Sequence, residues 1–162
     1  MRRFQPATDP PTRETTSERL FFVVVAAACL AAIDLDVKHV LTTPFWAYHH
    51  RSDGWVVLCL VTLVVAGLLT RIPSRAVTLG AALMSGGVLG NLVSARADGG
   101  YVPDPLLVGN RFRGIAFNIA DVFTLVGIVM LTVALMVVAI RNRDRLPPPT
   151  RPERWLLRRL RL

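Results

Sequence analysis

Two aspartates, Asp104 and Asp121, are the residues in this chain most suited to chemistry. Asp104 lies between Pro103 and Pro105, which restrict its backbone on both sides and hold the carboxyl on an extended segment. Asp121 closes Phe117-Asn118-Ile119-Ala120-Asp121 at the head of a long apolar run. Two carboxylates brought close cannot both ionise easily, so one keeps a proton while the other acts as a base towards water. Such a pair can hydrolyse a peptide bond: the ionised Asp takes a proton from water, and the protonated one polarises the carbonyl and helps the amine leave. Proton relays and ion pathways also use carboxylates at membrane depth, and spacing alone does not choose between these uses.

The elements that must deliver the pair are apolar segments. The chain has 162 residues, 52% of them hydrophobic and 19% charged, which leaves room for one domain. Residues 76–95 form 20 positions without a charge and residues 122–140 another 19, each close to the ~20 needed to cross hydrocarbon. With shorter runs at 20–33 and 55–70, the pattern predicts an all-α membrane protein of four transmembrane helices, the last over 116–140. Residues 1–19, broken by Pro6, Pro10 and Pro11, read as a disordered cytoplasmic leader. Residues 20–140 form the membrane domain and 141–162 a basic cytoplasmic tail. That tail breaks at Pro147-Pro148-Pro149 and ends in a basic amphipathic piece, suited to anionic headgroups or to disorder.

The net charge of +8 does not point to nucleic acid, because eight of the 19 basic residues are Arg flanking the end of the last apolar run. The leader, the turn at 71–75 and the tail together hold 14 of the 19 Lys and Arg. Both termini are therefore expected in the cytoplasm, with Asp34, Asp104 and Asp121 gathered at the outer face in a small extracytoplasmic loop region.

Asp34 and Lys38 are four apart at the outer end of the first run, and spacing alone favours a solvated interfacial ion pair over a functional one. Asn91 ends the third run, and Asn118 shares a helical face with Asp121. The loop at 96–114, with Gly99, Gly100, Pro103, Pro105 and Gly109, is expected to be neither helix nor regular strand. Small residues between Gly80 and Gly90 are read as helix packing. His49, His50 and Asp53 in the loop at 39–54 lack metal-motif spacing, so no metal site is expected. Cys29 and Cys59 are read as buried small hydrophobes.

Four spans, Asp34-x-x-x-Lys38, Gly90-Asn91-Leu92, Tyr101-Val102-Pro103-Asp104 and Phe117-Asn118-Ile119-Ala120-Asp121 together resemble the signal peptidase II family, the lipoprotein signal peptidases of bacteria. The resemblance covers residues 20–140. It implies that Asp104 and Asp121 are catalytic, working without metal or organic cofactor. Asp34, Lys38, Asn91, Arg96 and Asn118 would then support the site or the substrate. The implied substrate is a prolipoprotein carrying diacylglycerol on a cysteine, cut on that residue's amino side by a monomer of the bacterial inner membrane with membrane lipids as its other partners. The chain departs from the family's usual Asn-x-Gly-Ala, since residues 39–54 contain no Asn, and from Gly-Asn-Leu-x-Asp-Arg, since Ser94 stands at the acid and Arg96 falls one place late. The expectation is a dyad that survives while much of its surroundings does not. A family member without peptidase activity and an unrelated four-helix membrane protein are the alternatives.

Overall fold

The computed structural model describes residues 14–109, 114–143 and 159. Its frame is four helices: α1 (Thr16–Val40), α2 (Asp53–Leu69), α3 (Arg75–Ala97) and α4 (Ile119–Arg141). Three of them, α1, α3 and α4, are long and apolar enough to cross a membrane; α2, at 17 residues, is shorter. Residues 1–13 of the leader, Arg111, Arg113 and all but residues 141–143 and 159 of the tail lie outside the described residues.

α1 starts inside the expected leader because the local sequence caps it. The Thr15 hydroxyl accepts from the Glu18 N–H, and the Glu18 carboxylate accepts from the Thr15 N–H at 2.7 Å, a reciprocal capping box. α1 also continues past Asp34 to Val40. Arg19 is buried and donates from Nε to the Thr70 carbonyl at 2.8 Å, tying the start of α1 to the end of α2.

α3 is the central helix, packed against α1, α2 and α4. Its buried face runs from Val77 to Ala95 and is made largely of Ala, Gly and Ser, so neighbouring backbones approach closely. This is the packing expected of the small-residue cluster. α1, α2 and α4 leave Phe21, Val24, Val57, Leu58, Val64, Leu125 and Val129 exposed, the surface of a bundle whose outside meets lipid. Cys59 is buried as expected. Cys29 instead lies exposed on α1, because, two residues from Ala27 and from Ala31, it points away from the buried stripe of Val23, Ala27 and Ala31.

The two connecting loops differ from expectation. Residues 45–47 form a single 3-10 turn, followed by β1 (Tyr48–His50). The loop after α3 holds β2 (Tyr101–Pro103), β3 (Leu106–Val108) and β4 (Ile115–Phe117). The molecule is therefore mostly helical rather than all-α. β1 pairs antiparallel with β2, Tyr48 opposite Pro103 and His49 opposite Val102, while β3 pairs with β4, Leu106 opposite Phe117. Gly99 and Gly100, with φ of 62° and 94°, turn the chain from α3 into β2; this left-handed backbone suits glycine. The Gly100 carbonyl then accepts the Arg51 N–H at 2.7 Å, joining the two loops. Because Ile115–Phe117 is strand, α4 begins at Ile119 rather than at residue 116, and Asn118 is its N-cap.

Candidate active site

The C-terminal ends of α1 and α3, the β1–β2 ribbon and the N-terminus of α4 converge on one polar cluster. Asp34 is fully buried. Its Oδ2 pairs with Lys38 Nζ at 2.6 Å, and its Oδ1 accepts the Ala120 N–H in the first turn of α4 at 2.9 Å. A helix N-terminus presents unpaired N–H groups, and a carboxylate satisfies them well. Gly90 admits this carboxylate: a Cβ there would stand 2.8 Å from Asp34 Oδ2. The solvated reading of the Asp34–Lys38 pair is thus corrected, since the pair is enclosed by α3 and α4, with the Lys38 side chain only 5% exposed. Lys38 uses its other donors on Asn91 Oδ1 (2.9 Å) and Ser94 Oγ (3.0 Å), both on α3.

Asn118 joins the two aspartates. Its Nδ2 donates to Asp104 Oδ1 at 2.5 Å, its Oδ1 accepts the Asp121 N–H at 2.9 Å, and its own N–H donates to Asp121 Oδ2 at 3.2 Å. The sequence spacing, read as a shared helical face, is realised as a capping box. Asn91 completes the ring, donating to Asp121 Oδ1 at 2.9 Å and accepting from Asn118 Nδ2 at 2.9 Å. Asp34, Lys38, Asn91, Asp104, Asn118 and Asp121 therefore form one hydrogen-bonded network. Arg96 stands apart from it, exposed on α3 and lining a wide pocket of about 910 Å³ with Arg51 and Gly100.

The two carboxyls are not equivalent. Asp104 is 2% exposed. Burial is the largest cause pushing its pKa above the ordinary aspartate value; the His49 hydrogen bond opposes this, the charge of Asp121 adds to it, and the Asn118 bond opposes it again. Asp121 is half-buried and lines a cavity of about 280 Å³ whose wall includes Trp55, Leu58, Met84 and Thr124. One carboxyl is thus enclosed, with its pKa held above the ordinary aspartate value, while the other faces a space between α2, α3 and α4.

Three site residues escaped the sequence reading. Ser94, at a departure from the family pattern, receives Lys38. Arg51 stacks over the Trp55 ring, 5.2 Å from its centroid, and lines the cavity that holds Asp121. His49 contacts Asp104 Oδ2 through Nδ1 at 2.5 Å. An antiparallel strand pair opposite a loop carboxylate is the signal that finds it, and three-residue strands are too short to read from sequence.

The helical frame and the buried polar network define a class first: a multi-pass membrane protein that collects carboxylates at the end where three of its helices meet. Comparison narrows this. The family model "Signal peptidase (SPase) II" matches residues 39–137, and the chain belongs to that family, one of membrane proteases. A solved structure described as a bacterial membrane enzyme, determined by the in meso method at 2.3 Å resolution, shares the fold. Its TM-score is 0.57 at 15% identity over 80% of this chain and 94% of that one. No curated protein matches the chain by sequence. Family membership removes the unrelated four-helix bundle.

Proposed function

We propose that this protein is an active aspartic endopeptidase that removes signal peptides from diacylglyceryl-modified prolipoproteins, with Asp104 and Asp121 as its catalytic pair. The observation that carries this reading is Asn118, which holds one oxygen of each carboxyl within a single residue's reach. Like charges so placed favour one shared proton, and the raised pKa of Asp104 supports Asp104 as its holder.

Asp121 then takes a proton from water as the water oxygen adds to the scissile carbonyl carbon. Asp104 passes its proton to the carbonyl oxygen, giving a gem-diol. On collapse, Asp121 returns its proton to the departing amine nitrogen, and a hydroxyl proton of the diol restores Asp104 as the new carboxyl group forms. Water is consumed, and both aspartates end as they began. Asn91, Asn118 and the Asp34–Lys38 pair keep the two carboxyls in register, and Arg96 meets substrate only at the rim.

The bilayer supplies the substrate's route. The cavity beside Asp121 is walled by α2, α3 and α4, so a lipid-tethered peptide enters laterally between α2 and α4. For this, α2 is the fourth crossing: 17 residues give about 26 Å of helix, short against a hydrocarbon core of ~30 Å. The Lys and Arg distribution supports cytoplasmic termini and a site at the outer face of the bacterial inner membrane. The protein works as a monomer of one membrane domain, running from α1 at Thr16 to the end of α4 at Arg141, between a leader and a basic tail.

Gel-shift cleavage of a diacylglyceryl-modified prolipoprotein by the purified protein in detergent tests this reading. Asp104→Asn and Asp121→Asn are each expected to lower the rate by roughly 10²–10⁴-fold. Absence of cleavage by the unmutated protein beside an active control peptidase would instead make it a non-catalytic family member.

A further inference from the structure

Asp104 has a partner that the aspartate-pair chemistry does not require. Extending the β1–β2 register by one residue puts Ala47 opposite Asp104, and the Asp104 N–H donates to the Ala47 carbonyl at 3.0 Å. His49, two positions on, shares the Ala47 face of the ribbon and is the diagonal neighbour of Asp104, a separation that long side chains bridge. Ala47 is fully buried and carries only a methyl, so the imidazole has room to lean across it. The ring brings Nδ1 to 2.5 Å from Asp104 Oδ2 while its side chain stays 49% exposed, against 3% for Asp104.

We propose that His49 is a positioning residue for Asp104: its Nδ1–H holds the outer carboxyl oxygen while Asn118 Nδ2 holds the inner one, fixing the plane of the acid. This rests on the peptidase reading above. Two donors, one on each oxygen, leave Asp104 no free rotation about its terminal bond, and each oxygen keeps a lone pair for the catalytic proton. A neutral imidazole that donates from Nδ1 accepts at Nε2, which the half-exposed ring can turn to water.

Other groups around the pair do not compete for this contact. From α4 Asp121 faces Asp104; on α3 Asn91 donates to Asp121 and Ser94 to the Gly90 carbonyl, so neither bonds Asp104. Lys38 and Asp34 on α1 act from behind Asn91 and Ala120. On β1, His50 turns to Tyr101 with ring centroids 5.1 Å apart, and the adjoining Arg51 turns to Trp55.

The contact has a direction that a merely structural role lacks. The His49 bond opposes the effect of burial on Asp104. Its loss therefore lets the Asp104 proton persist to higher pH, moving the alkaline limb of activity upward. His49→Ala should lower kcat about tenfold or more with little change in KM and move that limb to higher pH. His49→Asn, whose Nδ2 sits at the same branch position as the ring Nδ1, should restore most of kcat and return the limb.

The experiment pairs these pH profiles, measured on the full chain in detergent with the diacylglyceryl-modified prolipoprotein, with histidine-selective nitrogen NMR. In the spectra, Asp104→Ala should displace the Nδ1 signal of His49 and leave His39 and His50 in place. A His49→Ala profile merely scaled down, or a His49 signal indifferent to Asp104→Ala, would overturn the proposal. If the unmutated protein cleaves nothing while the signal responds to Asp104→Ala, the peptidase reading falls and the His49–Asp104 pairing is upheld.

Discussion

Asp104 carries a cost that its chemistry makes useful. Its pKa lies above the ordinary aspartate value because burial disfavours its charge, so the folded protein binds this proton more tightly than the unfolded chain does. The stability linked to it is full below the ordinary value and is lost as pH rises through the raised one. Asp104→Asn removes the titration while an amide keeps the shape. That variant should melt higher than the unmutated protein at neutral pH, and the gap should close as pH falls towards the ordinary carboxylate range; thermal unfolding in detergent across pH measures it. A variant melting equally or lower at neutral pH would mean that Asp104 is not held against its charge. The aspartates and asparagines were legible because polar groups at the ends of apolar runs are conspicuous. His49 was not, since it meets Asp104 only through a strand register that no local pattern encodes.

At the level of elements, the site is a consequence of how closely α1 and α4 approach α3. Gly90 is the point where this close approach touches the polar site directly, because Asp34 occupies the space its side chain would take. Gly90→Ala should push Asp34 off Lys38 and the Ala120 N–H, costing about 1–3 kcal/mol of stability and lowering cleavage with it. Gly67 on α2 is the internal control: its added Cβ meets nothing nearer than Leu20 Cδ1 at 3.9 Å, so Gly67→Ala should be neutral or stabilise by up to about 1 kcal/mol through helix propensity. Equal effects at both positions would sink the close-approach argument. The long helices were readable from their uncharged runs, and the small-residue face of α3 announced itself by composition. Element ends were less readable. α1 gains its first turn from a capping box that Pro-rich residues upstream obscured, and α4 loses its first turn to β4 because Asn118 is a better cap than a helix interior residue. Gly and Pro in the loop after α3 signalled irregular backbone, yet they punctuate strands of three residues each.

For the whole molecule, the network at one end and the basic residues at the other make orientation the decisive property. The turn at residues 71–75 between α2 and α3 carries Arg71 and Arg75, whereas the ribbon and the β3–β4 pair lie at the end where Asp34, Asp104 and Asp121 meet. The proposed orientation by positive charge puts the first end in the cytoplasm and the second outwards, the side on which the proposed prolipoprotein substrate would present its cysteine. A chain with Cys29→Ala and Cys59→Ala gives a clean background for single-cysteine labelling, both native cysteines being free. Val108→Cys, exposed on β3, should react with a membrane-impermeant maleimide on intact spheroplasts. Ser74→Cys, at the N-cap of α3, should react only after lysis. The opposite pattern would put the carboxylates on the cytoplasmic side, where no translocated substrate reaches them. The same pattern at both positions would mean that α3, the helix between them, does not cross the bilayer between the turn and the site.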